Sequence, residues 1–494
     1  MSESATPAPL MLSISGCRGI FGKTITPEVA ARYALVLAAY FRECAANAGQ
    51  TMRPRVVLGR DGRAGGLVLA QAAAAGLAAG GCDVYDLGVA MTPTVGVMVD
   101  HAHAVGGLVV TASHNPQEWN GLKPIVRDAR ARAGAVSASA PGKQLADAVI
   151  GRYRDAVQHG APGVTIDQVG TVRGAATGQA LGLPAEGAFA HINQVREALK
   201  AIGSVEDRRA MGVSCVVDSV NASGAEAAKA FLGDRLKHHL GSSDGGVFPH
   251  APEPTRENLT ALARFVAEKH ADIGFAQDPD ADRLAIIDEK GSYIGEEFTL
   301  VLAAESLLGS GAVAAAGATI CVNLSTSRMI EDVAARYGAR VIRTAVGEAN
   351  VVEAMKAHNA IIGGEGNGGV IWPKVTYIRD SLSAMGLVLA LLARTGKSVS
   401  QLVAEMPQYA IVKRKVDLAD PAQAVRAADA VAGHFSKNAI DRQDGVRVAL
   451  DAERAWLHVR GSNTEPIMRL IAEAPTQMLA ERLLDEAAGA IGRA

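Results

Sequence analysis

Ser113 stands in the run Thr111-Ala112-Ser113-His114-Asn115-Pro116, just after an apolar stretch. As a nucleophile it would use loop amides and polar neighbours to hold a phosphoryl group; as a structural residue it would make a turn hydrogen bond. A Ser-His hydrolase is the poorer reading, because adjacent side chains seldom face each other for proton transfer and no G-x-S-x-G elbow surrounds the serine. Asp278, Asp280 and Asp282 alternate along the chain. In an extended loop that spacing puts three carboxylates on one side, and hard oxygen ligands of this kind suit Mg2+. A solvated acidic loop would leave them repelling one another beside an apolar strand. An EF-hand fails despite Glu289 at the twelfth position, since Arg283 replaces the glycine at the sixth and strand-like residues flank the loop.

Gly363 to Gly369 is glycine-dense around one carboxylate, Glu365. The glycines let backbone approach a ligand closely, and Glu365 can accept hydrogen bonds from two vicinal sugar hydroxyls; an ordinary glycine-rich turn is the alternative. Arg460-Gly461-Ser462-Asn463-Thr464-Glu465-Pro466, followed by Arg469, ends a strand with cationic, hydroxyl and amide donors. That set matches a phosphate dianion, or else a capped tight turn. Arg18, in the early loop Ser15 to Gly19, and Lys123, ten residues beyond Ser113, complete the candidates.

These residues need a scaffold, and one unit occurs three times. An apolar strand enters a polar loop, a helical pattern follows, and a second strand enters a more unusual loop. The first strands are 55–59, 213–217 and 319–322; the second are 107–110, 272–276 and 360–362. Such alternation predicts parallel α/β sheets, with ligands at the carboxyl ends of the strands. Thr26 followed by Pro27 opens a helix to about Ala46. Residues 126–190 hold a helix and a linker. The last 85 or so residues read instead as an α+β module, with strands at 410–418, 446–451, 455–461 and 468–472 and helices near 423–435 and 477–491.

Composition agrees. The chain has 494 residues, enough for three or four domains, and 49 Lys plus Arg against 51 Asp plus Glu give a formal charge of −2. With 49% apolar and 20% charged residues it is neither disordered nor a coat for nucleic acid. Apolar runs such as 384–393 are too short to span a bilayer, and no basic residue precedes Arg18 as in a secretory signal. Five scattered cysteines, none in a C-x-x-C pair, fit a reducing compartment. A cytoplasmic protein is expected, with neither nucleic-acid nor membrane partners.

Taken together and in order, these loops resemble the α-D-phosphohexomutase superfamily, over essentially the whole chain. The likeness includes the Ser15 to Gly19 loop and the Gly59 to Arg63 segment as well as the four loops above. It implies an α/β fold of three similar mixed α/β domains plus a C-terminal α+β domain around a central cleft, divided at 1–182, 183–295, 296–405 and 406–494. It makes Ser113 the carrier of the phosphoryl group, with the three aspartates and a phosphoserine oxygen around Mg2+. Arg18 and Lys123 would assist proton transfer and stabilise charge, with His114 beside them among the catalytic residues. Arg283, Glu365 and Asn367 would bind substrate, and Arg460, Ser462, Asn463, Thr464 and Arg469 would clamp the non-reacting phosphate.

The reaction so implied moves a phosphoryl group between O6 and O1 of a hexose through a 1,6-bisphosphate, most readily on glucosamine phosphate, with mannose and glucose phosphates close behind. Two departures stand out. The metal loop has Pro279 and Ala281 where glycines are usual, and the sugar loop ends Asn367-Gly368-Gly369 without the Ser-Gly-His of many bacterial members. A serine-dependent metallo-phosphomonoesterase and a non-catalytic sugar-phosphate sensor are the rival readings.

Overall fold

The structure, a computed structural model, describes residues 9–492 apart from 129–134, 162, 176, 178–186, 204–211, 244, 419, 421–422 and 462–466. Four sheets follow one another along the chain. In the first, strand Arg55–Arg60 runs parallel to Gly106–Val110, and Trp119–Val126 returns antiparallel beside the latter. The second repeats this with Cys215–Asp218, Ile273–Gln277 and the antiparallel Leu284–Asp288. The third does so again with Thr319–Asn323, Ile362–Glu365 and the antiparallel Gly369–Ile371.

The expected parallel sheets are therefore mixed. Each of the three chemistry-bearing loops is the connection between a parallel strand and its antiparallel return, spanning residues 111–118, 278–283 and 366–368. The antiparallel return strand, eight, five and three residues long in turn, brings each loop back at the carboxyl end of its parallel strand. Glu365 itself lies in the strand and not in the loop after it, because the apolar run ends earlier than the hydrogen-bonded ladder does.

Strands such as Gly106–Val110, Ile273–Gln277 and Thr319–Asn323 are buried throughout, as suits strands covered by helices on both faces. The first helix, Pro27–Asn47, starts where expected: Thr26 Oγ1 accepts from Val29 N and proline occupies the first turn. The linker region contributes helix Lys143–His159 and a strand, Val172–Gly174, at the edge of the first sheet. The fourth sheet is wholly antiparallel and includes strand Ala439–Asp441, too short and polar to stand out in the sequence.

The apolar core is distributed unevenly. One cluster runs without interruption from helix Ala188–Ala201 through the second and third sheets to Met406. The C-terminal unit has a separate cluster of its own, between its sheet and helices Gln423–His434 and Gln477–Ile491. What joins it to the third unit includes polar contacts: Ser325 Oγ to His458 Nδ1 at 2.9 Å, Arg447 Nε donating to Leu324 O at 3.0 Å, and a Lys413–Glu296 ion pair at 2.7 Å.

Candidate active site

The loop carrying Ser113 is held by a buried polar chain. Asp61 and Arg63 close the strand Arg55–Arg60 and pair at 2.8 Å with no exposure of either side chain. Arg63 then donates to the carbonyls of Ser113 and Trp119, the latter at 2.6 Å. Thr111 Oγ1 donates to Asp61 at 2.7 Å and accepts from Ser113 N at 2.8 Å. These bonds hold Ser113 at φ +51°, in the left-handed region that a non-glycine residue enters only when its surroundings fix it there. In that conformation Ser113 Oγ donates to Asp278 Oδ2 at 3.0 Å and lies 3.3 Å from His114 Nδ1.

Asp278, Asp280 and Asp282 are fully buried, and an oxygen from each lies within 4.8 Å of the others. The loop between two adjacent strands therefore brings the alternating carboxylates together. Thr92 Oγ1 donates to Asp280 at 2.7 Å, and Lys123 Nζ donates to Asp282 at 2.8 Å and to Asp280 at 3.4 Å. Arg18 donates to Asn115 Oδ1 at 3.1 Å and makes no described hydrogen bond to the trio, although Asp280 and Asp282 are near enough to favour its charge. Arg283 donates its backbone N–H to Asp278, and its Nε stands 4.0 Å from Asp282.

The charges are unequal. Burial and the neighbouring Asp280 and Asp282 push Asp278 well above the ordinary carboxylate range. Burial pushes Asp282 the same way, but Arg379, Lys123 and Arg283 outweigh it and hold that group ionised. Burial opposes the charge on Lys123, yet the same carboxylates keep the ammonium protonated. Burial, with Arg283 and Arg18 nearby, pushes His114 down to about 3, so its ring is neutral. A divalent cation fits this donor set: Asp280 Oδ1 and Asp282 Oδ1 are buried oxygens without a hydrogen-bond partner, and a crowded carboxylate such as Asp278 is relieved by a positive ion.

A cavity of about 640 Å3 is lined by His114, the residue after Ser113, and by Asn323, Glu365, Asn367, Arg460 and Arg469 among others. Arg460 and Arg469 are cross-strand partners in the last sheet, which puts both side chains on the same face of it, toward the cavity they line. Ser462, Asn463 and Thr464 lie outside the described residues. Glu365 accepts from Asn323 Nδ2 at 2.8 Å, Gly347 N at 3.2 Å and Arg379 Nη1 at 2.8 Å. A carboxylate offers about four acceptor positions. In this arrangement about one is left for a sugar hydroxyl, where the sequence reading allotted two.

Several residues at the site carried no sequence signal that singled them out. Arg379 reaches both Asp282 of the trio and Glu365, and Glu348 backs it from 3.5 Å while coming within 3.9 Å of Lys123. Thr92 arrives from the start of a helix, recognisable only as the residue before Pro93. Lys413, Arg414 and Lys415 line the cavity from strand Ala410–Asp417, and Glu253, Glu296 and Glu297 from the second and third units. Alternation along that strand could have flagged Lys413 and Lys415 as sharing a face.

Comparison with known proteins accords with this geometry. Family models described as phosphoglucomutase/phosphomannomutase match in order: α/β/α domain I at residues 11–136, domain II at 190–291, domain III at 296–409 and the C-terminal domain at 412–490. A phosphoglucomutase/phosphomannomutase of Thermococcus kodakarensis is 33% identical over 474 residues, covering 95% of this chain and 96% of that protein. A Methanopyrus kandleri protein named probable phosphoglucosamine mutase is 32% identical, covering 96% of this chain and 95% of its own length. Among solved structures, a phosphoglucomutase/phosphomannomutase family protein from Burkholderia thailandensis superposes with a TM-score of 0.78 at 25% identity, over 97% of this chain and 98% of that one. Four matched domains, and relatives alike over nearly their full length, place this chain in the phosphoglucomutase/phosphomannomutase family: it is a phosphohexomutase, an isomerase that works by phosphoryl transfer.

Proposed function

We propose that the chain interconverts hexose 6- and 1-phosphates, with phosphorylated Ser113 as the donor and a 1,6-bisphosphate as intermediate and activator. One observation carries this: Ser113 Oγ donates to Asp278 of a buried carboxylate trio, and the next residue, His114, lines a cavity whose wall includes Arg460 and Arg469. Bound there by Asp278, Asp280, Asp282 and the Ser113 oxygen, Mg2+ would supply charge neutralisation on the transferring phosphoryl oxygens.

The chain's own groups do the rest. In the first half-reaction a bond forms from the sugar hydroxyl to phosphorus, and the bond from phosphorus to Ser113 Oγ breaks. The hydroxyl proton ends on the serine oxygen, and neutral His114, 3.3 Å from that oxygen, presents a ring nitrogen beside its path. Lys123, held charged, acts as a cation and not as a base. Arg18 and Arg283, both close enough to His114 to depress its protonation, add positive charge near the donor. Arg460 and Arg469, with Ser462, Asn463 and Thr464, grip the phosphate that is not reacting. The second half-reaction reverses these steps after the bisphosphate has turned around.

Glucosamine phosphate is the preferred substrate in this reading. Glu253, Glu296, Glu297 and Glu365 line the cavity alongside Lys413, Arg414, Lys415, Arg460 and Arg469, so it offers carboxylates to an amine as well as cations to a phosphate, and relatives about 30% identical carry the name phosphoglucosamine mutase. The Thermococcus relative named phosphoglucomutase/phosphomannomutase favours the second reading, in which the 2-position bears a hydroxyl. Coupled assays with the 6-phosphates of glucosamine, glucose and mannose, with and without trace bisphosphate, separate them. Ser113→Ala should lose nearly all turnover and keep its circular dichroism. Inorganic phosphate appearing faster than the 1-phosphate would identify a phosphomonoesterase instead.

A further inference from the structure

Arg379 is a buried guanidinium that touches both halves of the site. Its Nη2 donates to Asp282 Oδ2 at 2.7 Å and its Nη1 to Glu365 Oε2 at 2.8 Å. Its backbone N–H donates to Glu348 Oε1 at 3.0 Å, and its Nε stands 3.5 Å from the other oxygen of that carboxylate. A single planar fork therefore spans from the third unit's sugar loop to the second unit's carboxylate trio. Asp282 Oδ2 is held by Arg379 and Lys123 together, which leaves Oδ1 as the buried oxygen without a partner.

Gly369 shows what this placement requires. It is the cross-strand partner of Glu365, and its backbone is not in the left-handed region, so conformation alone does not demand glycine. Space does. A Cβ at 369 would lie 2.3 Å from Arg379 Cδ and 3.1 Å from its Cγ, both in the middle of a buried stem.

We propose that Arg379 is a positioning residue that locks Asp282 and Glu365 into one frame, and that Gly369 is glycine because the arginine stem crosses there. The consequence is coupling between two functions. The orientation of the carboxylate that would face a metal ion and that of the carboxylate that would face the sugar depend on the same guanidinium. Groups that orient metal ligands from behind commonly change affinity or activity about tenfold or more when replaced. The inference rests on the sugar-phosphate reading of the cleft only for its second half.

Arg379→Lys tests it, because lysine keeps the charge and loses the fork. Two constants are read: the Mg2+ dissociation constant by calorimetry on the metal-stripped protein without sugar, and KM against kcat in the mutase assay. Both the Mg2+ constant and KM should rise about tenfold, with circular dichroism unchanged. If neither moves, or only one does, the shared frame is wrong. Gly369→Ala changes no charge and should shift the same two constants in the same direction, by less. Wild-type values in that variant would overturn the assignment of the space, and it carries the test should Arg379→Lys fail to fold. The Mg2+ arm needs no substrate. A wild-type chain inactive on every hexose phosphate would thus sink the proposed function and the Glu365 half of the frame, while the metal titration would still decide the Asp282 half.

Discussion

Arg63→Met probes the support beneath Ser113. The wild-type guanidinium is fully buried, pairs with buried Asp61 at 2.8 Å and reaches the carbonyls of Ser113 and Trp119. Removing it leaves Asp61 with only Thr111 Oγ1 and the residue-63 backbone N–H as donors. Breaking a buried pair from one side costs about 3–5 kcal/mol. At about 2–4 °C per kcal/mol for a domain of this size, the first unit should melt roughly 10 °C lower. The loop should also relax from the left-handed conformation at Ser113, and a displacement of about 1 Å at a reacting atom costs on the order of 100-fold in rate. Thermal melts and the mutase assay read the two effects separately. In Arg63→Met/Asp61→Asn the uncompensated charge is gone, so much of the Tm should return while kcat stays low. A single variant with wild-type kcat and a Tm within about 2 °C would refute this account of the loop.

Chelation of divalent ions should abolish turnover and lower Tm, since an ion bound at about 100 times its Kd stabilises by about 2.7 kcal/mol; an unchanged melt with and without Mg2+ would count against the trio as a metal site. Asp278→Asn should lose that Mg2+ response yet melt above the wild type when both are metal-free, because burial and like charge disfavour the native carboxylate. His458, pushed down by burial to about 4, stays neutral in the fold and takes a proton near 6.5 when unfolded. Its contribution is therefore complete above pH 6.5 and is lost as pH falls toward 4, about 3 kcal/mol in all. His458→Gln should flatten the pH dependence of the C-terminal unit's melt across that window, and identical slopes would contradict the assignment.

What was legible in the sequence was what is local. The aspartates at 278, 280 and 282 announce themselves because a loop between two adjacent strands gathers residues two apart, and Thr26-Pro27 marks a helix start by chemistry confined to one turn. The three repeated units were legible for the same reason. The antiparallel return strands were not, since Gly369–Ile371 has three residues and owes its ladder to a neighbouring strand. Arg379 was invisible: its partners lie 97 and 14 residues away, and nothing in Tyr377-Ile378-Arg379-Asp380 marks a hub. Asp61 and Arg63 stood in a recognised segment, but their hold on Ser113 depends on a turn 50 residues later.

The division of the core bears on how one cleft can serve both ends of a bisphosphate. Ser113, the trio, Arg379 and Glu365 sit among units knit by buried ion pairs, and the second and third share one apolar cluster. Displacing any of them would strand buried charge, which is expensive. Arg460 and Arg469 ride instead on a unit with its own core. Its described polar links to the third unit include Lys413–Glu296 and Arg454–Asp332, partly exposed pairs of the kind that contribute about 0–1 kcal/mol each. Part-buried bonds from Ser325 to His458 and from Arg328 N to Glu473 join the units too, so the contrast with the rest lies in the separate apolar clusters. In the proposed reaction, a bisphosphate that exchanged its two phosphates between a fixed donor and a clamp would need the clamp to loosen while the donor stays in place. The unequal distribution of apolar and ionic contacts puts the compliance on the clamp side of the cleft.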